Sequence, residues 1–395
     1  MTVEDTKATL DSMLHTWDYM SADHDRIKWE IFGYARDRCP VARTEEGVGF
    51  WLVTRYEDVK RVLEDWQTFS STESPITPSA VGLCPITDDP PIQTAARQLL
   101  NPLFSRGAIA KYEPAMRAAA RALIANWIDR GSVELLAEFS GPYVADVLTA
   151  AVFPDFGPED LARAANIALR SSEDPSPQVF IDLFGLCVEY LATARARGVT
   201  EDGVVYRLLN GTFDGEPVPE DKQLGILGIL MLGGLDTTRG AIGNIAYRVA
   251  TNPGTEDRLR DPAWVRRDLD EFLRLDSPVS CMARVATRDV ELNGAHIKAG
   301  ERVQVRYDSA NRDESRFRDA DKLVFDEARS GHAAFGFGVH RCVGSNLARL
   351  QIEVAFDELL KQVKNLRLAP GAEIVWMPGN TNALQAVNLE FDRVG

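Results

Sequence analysis

The chain has 395 residues, 45% of them hydrophobic and 26% charged, and a formal net charge of −15. That length buries a large core, and the acidic balance argues against nonspecific nucleic-acid binding and reports mainly solubility. Five cysteines, Cys39, Cys84, Cys187, Cys281 and Cys342, show no paired spacing, which argues against a disulfide framework and for a reducing cytoplasm.

No Gly/Ser tract, Pro-rich linker or long charge run divides the chain, so residues 1–395 are expected to form one domain with a β-containing lobe and a helix-rich lobe, ending at Arg393-Val394-Gly395 just after the last expected strand. The polar, acidic start Met1-Thr2-Val3-Glu4-Asp5-Thr6-Lys7 offers no signal peptide or membrane anchor, and a soluble protein is expected. Val48 to Val53 reads as a strand, Tyr56 to Leu63 as a short helix and Ser70 to Ser79 as a loop. From about Ser105 to about Ala250 the composition is helical, with a proline-broken stretch, Ser171 to Pro177, between helices near 158–170 and 178–197.

An apolar helix is expected from near Glu220 to just before Asn252-Pro253. It carries Leu232-Gly233-Gly234-Leu235-Asp236-Thr237-Thr238 in its middle. Mid-helix glycines cost about 1 kcal/mol each relative to alanine, so either a flat molecule lies against this helix or another helix packs closely on it. Asp236, likewise, either does chemistry or answers an arginine. Short extended runs follow at Val290–Leu292, Arg302–Val305 and Ala386–Phe391, giving a mainly α fold with small sheets at its edges.

Phe335-Gly336-Phe337-Gly338-Val339-His340-Arg341-Cys342-Val343-Gly344 wraps one cysteine in three glycines. Gly336, Gly338 and Gly344 are expected to permit backbone angles that turn amide N–H groups toward the sulfur. A helix from about Gly344 to Phe356 would favour the thiolate at its positive end. A lone cysteine builds neither a tetrahedral zinc site nor an iron–sulfur cluster, whereas one thiolate suffices for haem. An isolated Gly-x-Gly would leave Cys342 a buried structural thiol; the fixed order of aromatic, glycines, His and Cys favours haem.

This loop resembles the haem-binding signature of the cytochrome P450 family, Phe-Gly-x-Gly-x-His-x-Cys-x-Gly, without a mismatch, and Gly233–Thr237 resembles the family's oxygen-activation motif. The likeness runs from about Val48 to Phe391. It implies the cytochrome P450 fold, a helical prism with small β-sheets enclosing haem b (iron protoporphyrin IX). Cys342 would be the metal ligand, and Asp236 and Thr237 the catalytic pair, an alcohol facing dioxygen and an acid linking it to outside water in a dry pocket. Phe335, Gly336 and Gly344 would bind the cofactor, with His340, Arg284 and Arg97 meeting its carboxylates. Gln93 stands where most bacterial relatives have His, although a camphor-hydroxylating member also has Gln there; a surface amide is the alternative. Glu271-Phe272-Leu273-Arg274 and the later Phe325-Asp326-Glu327-Ala328-Arg329 could be ordinary surface charges. In the family, Glu271, Arg274 and Arg329 match a structural ion network behind the haem. His332 reads as a structural histidine.

The resemblance places substrate among the Ile76–Cys84 loop, the helices flanking Ser171–Pro177, Ile229–Gly233, Val279–Met282 and Asn380–Ala383. Val81, Ile229, Leu232, Gly233, Val279, Ser280 and Asn382 are the expected contacts, Ser280 and Asn382 offering hydrogen bonds. Such a wall suits a small hydrophobic compound, a terpenoid or substituted aromatic, hydroxylated or dealkylated with O2. A larger steroid or secondary metabolite is an alternative, and a haem-binding sensor or ligand carrier is another of a different class. The chain has neither a nucleotide-binding glycine fingerprint nor a cysteine cluster, so electrons would come from a ferredoxin or flavodoxin with an NAD(P)H-dependent reductase. Arg97, Arg106, Lys111, Arg117, Arg121, Arg341 and Arg349 would steer that acidic partner, if they are more than a solvated face.

Overall fold

The computed structural model describes residues 3–73, 82–154, 156–173, 176–325 and 329–394. Val81 and most of the Ile76–Cys84 loop lie outside the described residues. The helices Glu113–Ala125, Gly141–Ala151, Pro158–Glu173, Pro177–Arg197, Glu220–Thr251 and Ser345–Leu360 surround the main core, where Trp127, Phe139, Tyr143, Trp264 and Phe356 are fully enclosed. The 32-residue Glu220–Thr251 helix is apolar on several sides, and Ile226, Leu227, Met231, Ile242 and Ile245 are all buried; a helix of that kind belongs in a core. Glu220 and Asp221 suit its positive N-terminal end, and Asn252-Pro253 stops it. Pro158–Glu173 runs past Ser171-Ser172, where side-chain chemistry alone suggested a break, because it packs on the long helix.

A five-stranded sheet has the order Val41–Thr44, Phe50–Val53, Arg302–Arg306, Cys281–Ala286, Phe69–Ser70. Its central strand is parallel to Phe50–Val53 and antiparallel to Cys281–Ala286. Val303 and Val305 face a cluster with Val59, Phe69 and Phe317. By strand alternation, Arg306 points the other way, and its guanidinium lies 5.3 Å from the Trp17 ring and 4.7 Å from Phe32 in the N-terminal layer. Asp308 neutralises it through bonds of 3.1 and 2.6 Å. A three-stranded sheet of Val363–Leu368, Asn388–Arg393 and Ser132–Glu134 flanks the helical side. No helix among the described residues is long and apolar enough to cross a membrane.

Elements distant in the chain meet at two buried polar points. At the first, Lys28 Nζ donates to Asn382 Oδ1 at 2.9 Å across 354 residues of chain. The Asn382 amide donates to the Asp276 carbonyl, and the Asn382 carbonyl accepts from Asn244 Nδ2 at 2.7 Å. At the second, Arg274 clasps Glu271 with bonds of 2.7 and 2.8 Å and donates to the carbonyls of Asn311, Ala320 and Lys322. Glu271 also accepts from the Val324 amide at 2.7 Å, with Arg329 Nε 3.9 Å away. All three side chains are buried. Removing one partner of a buried pair strands the other charge, so Glu271→Gln is expected to destabilise the fold by about 3–5 kcal/mol. Urea unfolding would measure it; an unchanged midpoint would mean that Arg274 is held by the carbonyls alone.

Candidate active site

The cysteine loop is shaped by its glycines at two points. Gly336 and Gly338 take φ of 67° and 66°, in the left-handed region that side chains disfavour. A side chain at Gly338 would also run into the Leu63 carbonyl. Gly344 differs from expectation: its φ of −79° suits any residue, and its missing side chain instead leaves the wall open near the sulfur. The Cys342 amide donates to the Phe335 carbonyl at 2.9 Å, closing the loop. Ser345–Leu360 begins at once after Gly344, and the amides of Gly344 and Ser345 point at Cys342 Sγ.

Cys342 is exposed, yet only to an internal cavity it helps to line. Burial pushes its thiol up; the Gly344 and Ser345 amides with Arg97 and Arg341 pull the other way without reversing it. The helix end favours the thiolate as expected, and desolvation of the side chain opposes it more strongly.

The cavity has a volume of about 260 Å³, near the lower end of the roughly 300–1,000 Å³ of an ordinary small-molecule pocket. Gln93, Arg97, Arg284, Phe335, His340, Cys342 and Gly344 line it from one set of elements, and Ile229, Gly233, Thr237 and Val279 from another. Arg284 is buried and donates to its neighbouring Ala283 carbonyl at 2.6 Å. Among the described residues, neither Arg284 nor Arg97 has a carboxylate within ion-pair distance. Two desolvated guanidiniums with no directly paired carboxylate, Asp89 acting on Arg284 only from a distance, call for an anionic occupant. Haem fits: one thiol, an apolar slot and cations for its carboxylates.

Gln93 is 3% exposed and donates to the Val339 carbonyl at 2.5 Å, which rules out a surface amide and ties its helix to the cysteine loop. His340 Nε2 lies 3.0 Å from the buried hydroxyl of Ser71. Burial, then Arg284 and Arg97, lower His340 to about 3, so the imidazole is neutral at ordinary pH and can donate only one N–H.

On the long helix, the glycines divide the two explanations between them. A Cβ on Gly233 would meet nothing within 4 Å, whereas one on Gly234 would lie 2.8 Å from Leu148 Cδ1 of the Gly141–Ala151 helix. One glycine opens the cavity and the other seats a neighbouring helix. The Thr237 hydroxyl donates to the Gly233 carbonyl at 2.7 Å on the cavity wall. Asp236 is buried beside that wall, with Arg239 Nη1 3.5 Å from its Oδ1.

Several expected residues stand elsewhere. Leu232 is half-buried against the main core and does not line the cavity. Ser280 is buried and donates to the Gly379 carbonyl at 2.6 Å. Asn382 is the junction already described, so neither polar group is presented to a ligand. Gly336 is buried behind the wall against Tyr307. Glu271, Arg274 and Arg329 lie off the cavity. Of the basic residues, Arg97 lines the interior, Arg117 is taken up by Glu113, Asp357 and Glu358, and Arg121 leans on Glu358. Arg349 pairs with Asp270 at 2.5 Å and lies 5.0 Å over Phe335. Burial opposes the charge on Asp270, yet His332 and Arg349 hold it down at about 2, giving His332 a structural partner. Arg106, Lys111 and Arg341 are exposed.

Sequence reasoning missed Tyr307, Pro85 and Ile86 on the wall, while Met282 of the expected Val279–Met282 segment is there. Tyr307, pushed up to about 12 by burial, had one available signal, an aromatic between Arg306 and Asp308 at the end of a strand.

A family profile described as Cytochrome P450 matches residues 265–371. Linalool 8-monooxygenase of Pseudomonas putida is 32% identical over 373 residues, covering 87% of this chain and 90% of that protein. Among solved structures, cytochrome P450 CYP109Q5 from Chondromyces apiculatus superposes with a TM-score of 0.85 at 27% identity, covering 97% of this chain and 100% of that one. A mutant of P450 EryK in complex with erythromycin B gives a TM-score of 0.85 at 25% identity, covering 94% and 97%.

Proposed function

This chain belongs to the cytochrome P450 family and is a monooxygenase of it; from that premise we propose that it hydroxylates or dealkylates a small, largely apolar compound, a terpenoid or substituted aromatic. The observation that carries the reading is one cavity shared by the Cys342 sulfur, the Thr237 hydroxyl and an apolar wall of Ile229, Val279, Met282, Pro85 and Ile86. Similarity to linalool 8-monooxygenase supports the terpenoid class.

The family implies a haem-thiolate centre; haem b would be held by Cys342 and would supply the activation of O2. Arg97, Arg284 and His340 would hold its carboxylates, Gln93 would border them from the helix it ties to the cysteine loop, and Phe335 and Gly344 would border its thiolate side. Thr237 keeps a hydroxyl proton at the cavity wall, within reach of the Gly233 carbonyl. Asp236, anchored by Arg239 one turn on, links that hydroxyl to outer water. The apolar wall excludes water from the site. Glu271, Arg274 and Arg329 brace the thiolate side and take no part in turnover. The protein works in the cytoplasm as one haem domain, with no nucleic-acid or membrane partner.

Titrating the holoenzyme with linalool and a panel of substituted aromatics, and reading the spin-state change of the Soret band, tests the substrate class. Tight binding with NAD(P)H-coupled product supports it; response only to a bulky macrolide or steroid favours the larger class, for which the likeness to P450 EryK speaks. A haem-binding sensor or ligand carrier would have no use for Thr237 on the wall, and would yield no product.

Electrons arrive from a ferredoxin or flavodoxin docking near Arg106, Lys111 and Arg341. Arg106 begins a short helix beside Ser345–Leu360, so this smaller basic set surrounds the thiolate side. Steering of this kind raises association by roughly 10- to 1,000-fold at low salt. The reduction rate is expected to fall about tenfold as salt rises and the Debye length drops from ~30 to ~8 Å; a salt-independent rate would remove the docking site.

A further inference from the structure

The Glu220–Thr251 helix presents one face to the cavity and, further toward its start, to the segment that supplies part of the cavity wall. Lys222, Gly225, Ile229, Gly233 and Thr237 follow one another along that face at helical spacing. Ile229, Gly233 and Thr237 line the cavity, as do Pro85 and Ile86 of segment 82–88. That segment rests on the helix at Gly225. A Cβ there would lie 2.7 Å from the Gly82 carbonyl oxygen and 2.7 Å from the Cys84 amide nitrogen, so main chain lies directly on main chain. One turn earlier, Lys222 Nζ lies 2.6 Å from an oxygen of the buried Asp88. One turn later, a Cβ on Gly228 would sit 3.3 Å from Leu83 Cδ2.

We propose that Gly225, with its contact held closed by the Lys222–Asp88 pair, is a specificity-determining position that fixes how far Pro85 and Ile86 enter the cavity. The inference rests on the cytochrome P450 reading of that cavity and names what sets the size of the apolar group it admits. With no side chain at 225 the wall stands at its innermost. One added methyl must drive 82–84 off the helix, since the opposing atoms are backbone and cannot rotate away. Pro85 and Ile86 then withdraw, and the cavity admits a longer apolar group. Loss of the Lys222 charge loosens the same contact from its other end, without adding an atom at the interface.

The test titrates the holoenzyme with imidazole and a 1-alkylimidazole series from methyl to decyl, reading the Soret shift. For the parent, affinity is expected to rise about fourfold per buried methylene until the chain meets the wall, and then to level. Gly225→Ala and Lys222→Met should each move the levelling point to a longer chain and leave imidazole's own Kd unchanged. An unmoved levelling point in both variants overturns the proposal. If Gly225→Ala also weakens imidazole, its haem site is damaged and Lys222→Met decides, a parental levelling point there overturning the proposal. A parent whose Soret band ignores imidazole would instead overturn the haem reading, and the inference with it.

Discussion

Cys342→Ser is expected to abolish the strongly red-shifted Soret band of the dithionite-reduced, carbon monoxide-treated protein and to bring monooxygenase turnover to background. The effect is large because nothing else can replace the sulfur. Cys39, Cys84, Cys187 and Cys281 are absent from the cavity wall, which Cys342 alone of the cysteines lines. An alcohol oxygen would lack the electron donation that a cysteine thiolate would supply to the haem for O2 activation. Serine is close to isosteric, and the loop's shape rests on Gly336, Gly338 and the Cys342 amide, none of which the substitution touches. The fold should therefore survive. A variant that keeps the band would remove Cys342 from the metal, and a parent showing a histidine-like band would remove the thiolate reading altogether.

Thr237→Ala is expected to keep substrate binding while lowering product per NAD(P)H at least tenfold, with the missing electrons recovered as hydrogen peroxide. Positioned proton donors contribute roughly 10²–10⁴-fold, and Thr237 presents its hydroxyl on the cavity wall with its proton parked on the Gly233 carbonyl. Alanine is the better helix former, so a structural cause for the loss is disfavoured. Thr237→Ser, which keeps the hydroxyl, should restore most of the coupling. Unchanged product per NAD(P)H in the alanine variant would show that the proton reaches the site without Thr237.

What could be read in the sequence was what is decided locally. The cysteine loop declares itself because its glycines and sulfur act within ten consecutive residues. The long helix does so because its ends are marked by Glu220, Asp221 and Asn252-Pro253. Polar groups decided at long range could not be read in this way. Asn382 and Ser280 look like free hydrogen-bonding groups until Lys28, Asp276, Asn244 and Gly379 occupy them. The basic patch shrank for the same reason, since the carboxylates that claim Arg117, Arg121 and Arg349 lie at Glu358, Asp357 and Asp270, far along the chain. Val41–Thr44, the first strand, is short and carries an arginine, and only pairing with Phe50–Val53 makes it a strand.

The meeting at Asn382 also orders events during synthesis. Lys28 leaves the ribosome early and can bond Asp25 at once, yet its other acceptor, Asn382, lies 354 residues downstream, so this junction cannot close until nearly the whole chain has emerged. Contacts of such separation form late and slowly, and the apolar faces they will cover stay open meanwhile. Trp17 and Phe32, which close over Arg306 in the finished protein, are therefore the surfaces a nascent chain offers longest to chaperones. Pulse-labelled hydrogen exchange during refolding should find the amides of the Lys28–Arg38 helix among the last to become protected.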